Sequence, residues 1–378
     1  MKSVLHVALI APGGYTNNGL LNGFLQNDFS AYHCFDWQKE IFDTDHATMR
    51  KKLIDFAKQV QDDMIFLEIA HSEALDLETV KTLSSISFTV LYTFDIRSVE
   101  KTEWLYQLAP HLGLVCCSNQ RDVDECKARG ANAMVLQSSC DTERYNPKTS
   151  YAGNDYKRVS FVGSNFLGSN HEFPLEQERF DMVQALKKAF PRNFKVYGMG
   201  WEFSRLTKAY EDAEIYNDSL ICINHNHFDE PQYTSDRIWK IMFTGRLCLT
   251  KYFEGIETMF EKGIHLDWWK SFDGLLERVD HYLKNPELAD TIALAGYNHV
   301  QRNHTWASRI EWMMTHIYQT QPKVENPCRE AHKIDGIIPT PVDEKFNGRI
   351  CDCGKTIWKW EECGCGEKEY QLRVHQNI

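Results

Sequence analysis

In the stretch "SDRIWKIMFTGRLCLT" (235–250) an arginine, Arg237, stands in the first turn of a short predicted helix. The amino end of a helix is already the positive end of its dipole, so a cation there calls for something negative opposite it. "FVGSN" (161–165) closes a buried strand on Gly163 and Ser164 and then runs through a polar stretch longer than a strand-to-helix loop needs, which reads as a ligand-facing loop. "APGGYTNNG" (11–19), with Gly13, Gly14 and Gly19, also follows a strand but lacks the spacing Gly-x-Gly-x-x-Gly. It is either a flexible turn or a glycine loop that lets the backbone come close to a ligand. Near the carboxyl end, "CDCGKTIWKWEECGCG" (351–366) sets Cys351, Cys353, Cys363 and Cys365 in paired Cys-x-Cys-Gly units around a short strand. Four thiolates can close a tetrahedral structural zinc site, although the usual knuckle is one residue wider. Free thiols in a loose tail are the alternative.

Other motifs have plainer readings. The Asp-x-Asp of "RDVDE" (121–125) opens a helix, where acidic residues suit the dipole without any metal. "NHNHFDE" (224–230) follows a strand and offers His225 and His227 on one side of an extended chain, for a metal or for contact with a ligand in a cleft.

The elements that must position these residues alternate. Strand patterns fall at 4–11, 31–37, 64–70, 88–95, 112–118 and 132–139, with helical patterns between them. A polar stretch with Pro147 and Gly153 (141–157) interrupts, and the alternation resumes with strands at 158–164, 194–200, 220–226, 246–250 and 262–269. Helices are predicted at 175–190, 235–244, 271–284, 287–302 and 305–319. Continuous apolar strands separated by helices indicate parallel sheets covered on both faces. The fold class is therefore α/β, with two doubly wound Rossmann-like domains facing each other across a cleft at the carboxyl ends of the strands. The boundaries are 1–145 for the first domain and 146–304 for the second. A helix crosses back onto the first domain at 305–321, and 322–378 is a cysteine-rich, zinc-ribbon-like extension.

Composition narrows the function. The chain has 378 residues with 43% hydrophobic and 12% aromatic content, enough for large cores. Its net charge of −11, without a basic run, argues against holding nucleic acid by phosphate neutralisation. No apolar run reaches membrane-spanning length, and the amino terminus reads as a strand rather than a signal peptide. Cysteines such as Cys116, Cys117, Cys222 and Cys248 sit in apolar strands as small hydrophobes, and a cytoplasmic location follows.

The order of motifs in 235–315, with "TGRLCLT", "FEGIETMF", "HLDW", "YLKNPE", "IALAGYNHV" and "HTW", resembles the carboxyl-terminal half of GT-B superfamily glycosyltransferases. It looks closest to the spore-maturation (CgeB-like) group. "VSFVGS", "VYGMGW" (196–201) and "RYNP" (144–147) fit the same family, so the resemblance spans about 85–315. It implies transfer of a sugar from a nucleoside-diphosphate donor held by the second domain, without a catalytic metal, to a hydroxyl acceptor on the first. The acceptor is open: a polysaccharide, a protein, a metabolite or a modified DNA base.

On that resemblance Arg237 answers the diphosphate, with Ser235 as helix cap or hydroxyl donor and Gly163 and Ser164 approaching from the opposite loop. Gly14 lies on the first-domain glycine loop at the cleft. Gly198, Gly200 and Trp201 border the nucleoside, and Tyr233 stacks or hydrogen-bonds there. Many members carry a glutamate for the ribose where this chain has Lys240, which cannot accept those bonds. Either Lys240 pairs with Asp236 one turn back, or donor recognition has changed. Asp95, at the end of a central strand, is a general base for the acceptor or the cap of the next helix. His71 is the second candidate base. A non-catalytic nucleotide-sugar binder and a nucleotide-sugar epimerase on the same fold are the rival functions.

Overall fold

The computed structural model describes residues 1–8, 18–70, 72–95, 97–148, 158–169, 173–201 and 211–320, and the backbone of 348–350 and 356–358. The first sheet holds β1 (Ser3–Ala8), β2 (Ala31–Asp36), β3 (Met64–Glu68), β4 (Phe88–Thr93), β5 (Leu114–Cys117) and β6 (Ala133–Val135), all parallel, in the order β2-β1-β3-β4-β5-β6. The second holds β7 (Val159–Val162), β8 (Phe194–Tyr197), β9 (Ile221–Asn224), β10 (Leu247–Lys251) and β11 (Asp267–Trp269), also parallel, in the order β11-β10-β9-β7-β8. This is an α/β fold with parallel sheets in two domains.

Alternation along each strand sorts the side chains to two faces. In β3, Ile65 and Leu67 join one core with Leu53 of α3 (His46–Val60), Leu83 of α4 (Leu77–Ile86), Leu105 of α5 (Val99–Leu108) and Val123 of α6 (Gln120–Ala128). Met64 and Phe66 face the other way, onto α1 (Asn18–Leu25) and α12 (Trp306–Thr320). The last described helix thus packs on the first sheet, through Trp306, Ile310, Met313 and Ile317. In the second sheet, Ile221 and Ile223 face α7 (Glu176–Ala189), α10 (Phe272–Lys284) and α11 (Pro286–Asn303). Cys222 and Cys248 face α8 (Glu211–Asn217) and α9 (Arg237–Phe243).

Several elements differ from the sequence expectation: α8 is not among the expected helices, the strand over 132–139 is strand only at Ala133–Val135, and two more have a clear local cause. The strand expected over 31–37 stops at Asp36, whose carboxylate accepts from the Lys39 amide at 2.9 Å and starts α2 (Trp37–Asp43). The strand expected over 262–269 is strand only at Asp267–Trp269. Lys262–Leu266 folds as a turn around Gly263, whose φ of +74° suits glycine. Beyond α12, Gly348–Ile350 pairs antiparallel with Thr356–Trp358. Cys351, Cys353, Cys363 and Cys365 lie outside the described residues.

Candidate functional site

The carboxyl ends of β7, β8 and β9 meet at the Gly163–Ser164 turn. A Cβ on Gly163 would fall 2.9 Å from Arg237 Nη2 and 3.0 Å from the Phe161 ring, so a side chain there would press on both. Gly198, at φ +127°, packs directly beneath: a Cβ there would lie 2.5 Å from the Gly163 carbonyl oxygen. Trp201 is buried, stacks on Phe180 and donates its indole N–H to that same carbonyl at 2.7 Å. Gly200 gives the matching approach to Asn165. The glycines and tryptophan of this second loop therefore brace the 163–165 turn from below.

Arg237 is half-buried and holds strand ends together. Its Nε donates to the Val162 carbonyl at 2.6 Å, and its Nη1 to the His225 carbonyl at 3.0 Å, Asn224 Oδ1 at 3.2 Å and Ser235 Oγ at 3.3 Å. Asn224 is aimed by donating its own amide to Thr250 Oγ1 at 3.0 Å. The cation at the helix start is thus met first by carbonyl dipoles, and Nη2 is left toward the Gly163 side. Ser235 is not the cap: its hydroxyl is taken by Asn224 and Arg237, and Asp236 occupies the cap position without a side-chain cap bond.

A second guanidinium lies beside the first. Arg179 is fully buried and donates to the Ser164 carbonyl at 3.3 Å, to His227 Nε2 at 2.7 Å and to the His225 carbonyl at 2.8 Å. The His225 carbonyl therefore bridges two arginines, which both lie against the Phe161 ring. Burial, and then the charge of Arg237, lower Arg179 to about 9, so it stays charged at neutral pH. Glu176 lies 3.5 Å from it and also pairs with His227. Burial brings His227 down to about 4, so it is neutral. Glu176 faces Arg179, and Asp236 lies within electrostatic reach of Arg237, so two guanidiniums stand side by side at the strand ends. Farther along, burial acts to raise Glu178, but His225 and Lys251 hold it at about 2. Its ion pair with Lys251 is 2.8 Å long.

Arg179, Glu176 and His227 were not singled out for this role by sequence, yet a signal exists. Arg179 begins the buried stripe Arg179-Met182-Val183-Leu186 of α7, and an arginine at the head of an apolar helical stripe needs a built partner set.

Lys240 sits between carboxylates, 2.7 Å from Asp236 and 3.7 Å from Asp212, and over the Tyr145 ring. Tyr145 in turn donates to Asp212 at 3.0 Å. The 144–147 segment is fastened to α8 and α9 by this set.

Asp95 does not cap α5; Ser98 holds that position. Its half-exposed carboxylate pairs with Arg97 at 2.9 Å. Burial, followed by the charge of Asp95, raises the buried Tyr233 phenol. The domains also meet where Arg121 pairs with Glu230, the Gln120 amide donates to the Pro231 carbonyl at 3.2 Å, and Gln137 bonds the Gln232 carbonyl. Gly14 and His71 lie outside the described residues. Asp122 of the Asp-x-Asp motif is buried and accepts from Tyr106 at 2.6 Å and Asn119 at 2.7 Å, a structural role.

Residues 179–315 match a protein-family model described as glycosyl transferase-like. The fold is similar to HepE of Anabaena, solved with UDP-glucose, at TM-score 0.60 and 14% identity, over 85% of this chain and 100% of that one. It is also similar to sucrose-phosphate synthase from Thermosynechococcus elongatus, at TM-score 0.60 and 7% identity, over 86% and 100%. A glycosyltransferase from Rickettsia africae aligns at TM-score 0.56 and 11% identity, over 84% and 98%. No curated sequence matches the chain.

Proposed function

We propose that the chain is a glycosyltransferase of the GT-B superfamily and moves a sugar from a nucleoside-diphosphate donor to a hydroxyl acceptor. The observation that carries this reading is the pair of guanidiniums, Arg179 and Arg237, joined through the His225 carbonyl beside the Gly163–Ser164 turn. A departing diphosphate gains negative charge in the transition state, and fixed positive charge aimed at that place stabilises it without reorganisation. Arg237 Nη2 and the Gly163–Ser164 backbone contact the phosphates, while Arg179 holds the loops from behind. UDP is the nucleotide we favour, because HepE was solved with UDP-glucose on the same fold.

Asp95 deprotonates the acceptor hydroxyl from the first domain. Cross-domain contacts at 230–232 keep the two halves together, which orients the reactants and excludes water. This reading treats 1–145 as the acceptor domain and 146–304 as the donor domain, with 305–321 crossing between them and 322–378 as an extension. We take the spore-maturation group as the nearest kin on the motif order, and the cytoplasm as the location, since every described cysteine is a free thiol. Catalysis proceeds without a metal ion, and the extension's cysteines hold a structural zinc. Release of UDP from UDP-sugars by the purified chain tests the reaction. Slow hydrolysis without acceptor supports it, and tight binding with no turnover over a broad acceptor panel would make the protein a binder.

A further inference from the structure

A guanidinium can only donate hydrogen bonds. His227 Nε2, 2.7 Å from Arg179 Nη1, is therefore the accepting nitrogen, and the ring proton stands on Nδ1. That proton is donated to Glu176 Oε1. Glu176 is fixed in turn, because its other oxygen accepts from the Phe166 amide at 3.0 Å. The imidazole packs at a tilt against Phe173, at 4.3 Å between ring centroids, and against Phe166, at 5.7 Å. The groups facing His227 are Glu176 and Arg179 of α7, Arg237 of α9 and these two phenyl rings.

The chain of bonds continues outward. Arg179, with no exposed surface, reaches the Ser164 carbonyl on one side and the His225 carbonyl on the other. Arg237 is registered against that same His225 carbonyl. The orientation of one neutral imidazole thus sets the backbone on which the phosphate-facing arginine rests.

We propose that His227 is a positioning residue for the donor diphosphate: held by Glu176 as the Nδ1–H tautomer, it accepts from Arg179 and so fixes the Ser164 and His225 carbonyls around Arg237. This rests on the donor reading above. His227 acts through Arg179. Protonating Nε2 would remove the acceptor and set a third cation beside two guanidiniums.

Two measurements on the full chain test it. The first is the 15N spectrum of labelled histidine without any donor, with the His227 signal assigned by its loss in His227→Phe. The expected pattern is a protonated Nδ1 and an unprotonated Nε2 at neutral pH, and a protonated Nε2 would overturn the relay. The second is calorimetric titration with UDP of wild type, His227→Gln and His227→Phe. A glutamine carbonyl can still accept from Arg179, so His227→Gln is expected to bind within about threefold of wild type. Phenylalanine keeps the packing against Phe166 and Phe173 but not the acceptor, and should weaken UDP by about tenfold or more. Equal UDP affinity in the two variants would overturn the positioning role. A wild-type chain that binds no nucleoside diphosphate would overturn the donor reading, and with it the link to the diphosphate. The donor-free spectrum tests the relay separately.

Discussion

Replacing Arg237 with alanine separates its two tasks, because the structure gives a magnitude for each. The side chain makes two well-formed bonds to main-chain carbonyls, at 2.6 Å to Val162 and 3.0 Å to His225. Hydrogen bonds from a charged donor contribute about 1.5–3 kcal/mol each. The His225 carbonyl keeps Arg179 in the variant, and water can reach the half-buried gap, so the net loss is about 3 kcal/mol. For a domain of this size that lowers the melting temperature by about 6–12 °C. Removing the Nη2 contact to the donor should also raise the Kd for UDP by about 10–100-fold. Arg237→Lys keeps the charge but not the fork. It should melt nearly as low as the alanine variant while recovering part of the affinity. Scanning calorimetry and titration below the melting transition read both effects. An alanine variant that melts low yet binds UDP like wild type would leave Arg237 purely structural and refute the phosphate role. One that melts like wild type would refute the strut.

The remaining predictions concern the other charged groups. Asp95→Asn should cut transfer by about 10²–10⁴-fold with UDP affinity unchanged, and its exposed ion pair with Arg97 should move stability by no more than about 1 kcal/mol; steady-state kinetics with wild-type transfer in the variant would exclude it as the base. Lys240→Met should lower stability by about 1–3 kcal/mol through loss of its ion pairs with Asp236 and Asp212 but leave UDP affinity within about twofold, and a tenfold loss of affinity would make Lys240 a donor contact. Burial lowers His227 and His299 to about 4, so between about pH 6.5 and 4 the unfolded chain binds protons that the folded chain does not. Stability should therefore fall as pH drops through that window, by up to about 3 kcal/mol per ring, and urea melts at pH 7 and pH 5 with equal midpoints would contradict this.

The fold was largely legible because apolar runs broken by helical periods admit few architectures other than covered parallel sheets. What escaped notice depended on local capping: Asp36 converts the end of a strand pattern into a helix start, and Gly263 turns the chain where the residue pattern still looked extended. Arg237 and Gly163 were visible as odd residues at strand and helix ends. That they meet was not, since the 2.9 Å approach exists only once β7 and α9 are side by side. Arg179 was overlooked because acidic and basic residues around it, "EQER", look like an ordinary exposed helix start. Its depth comes from the apolar stripe that follows it. Lys240 stands where a glutamate was expected for the ribose, and its own ion pairs with Asp236 and Asp212 account for a lysine at that position.

A crystal structure of the chain with a UDP-sugar would show whether the donor diphosphate lies between Arg237 and the Gly163–Ser164 turn. Phosphate oxygens are expected within hydrogen-bond reach of Arg237 Nη2 and of the turn's backbone, with Arg179 unmoved behind them. A nucleotide bound elsewhere, or phosphates that leave Arg237 without contact, would contradict that placement.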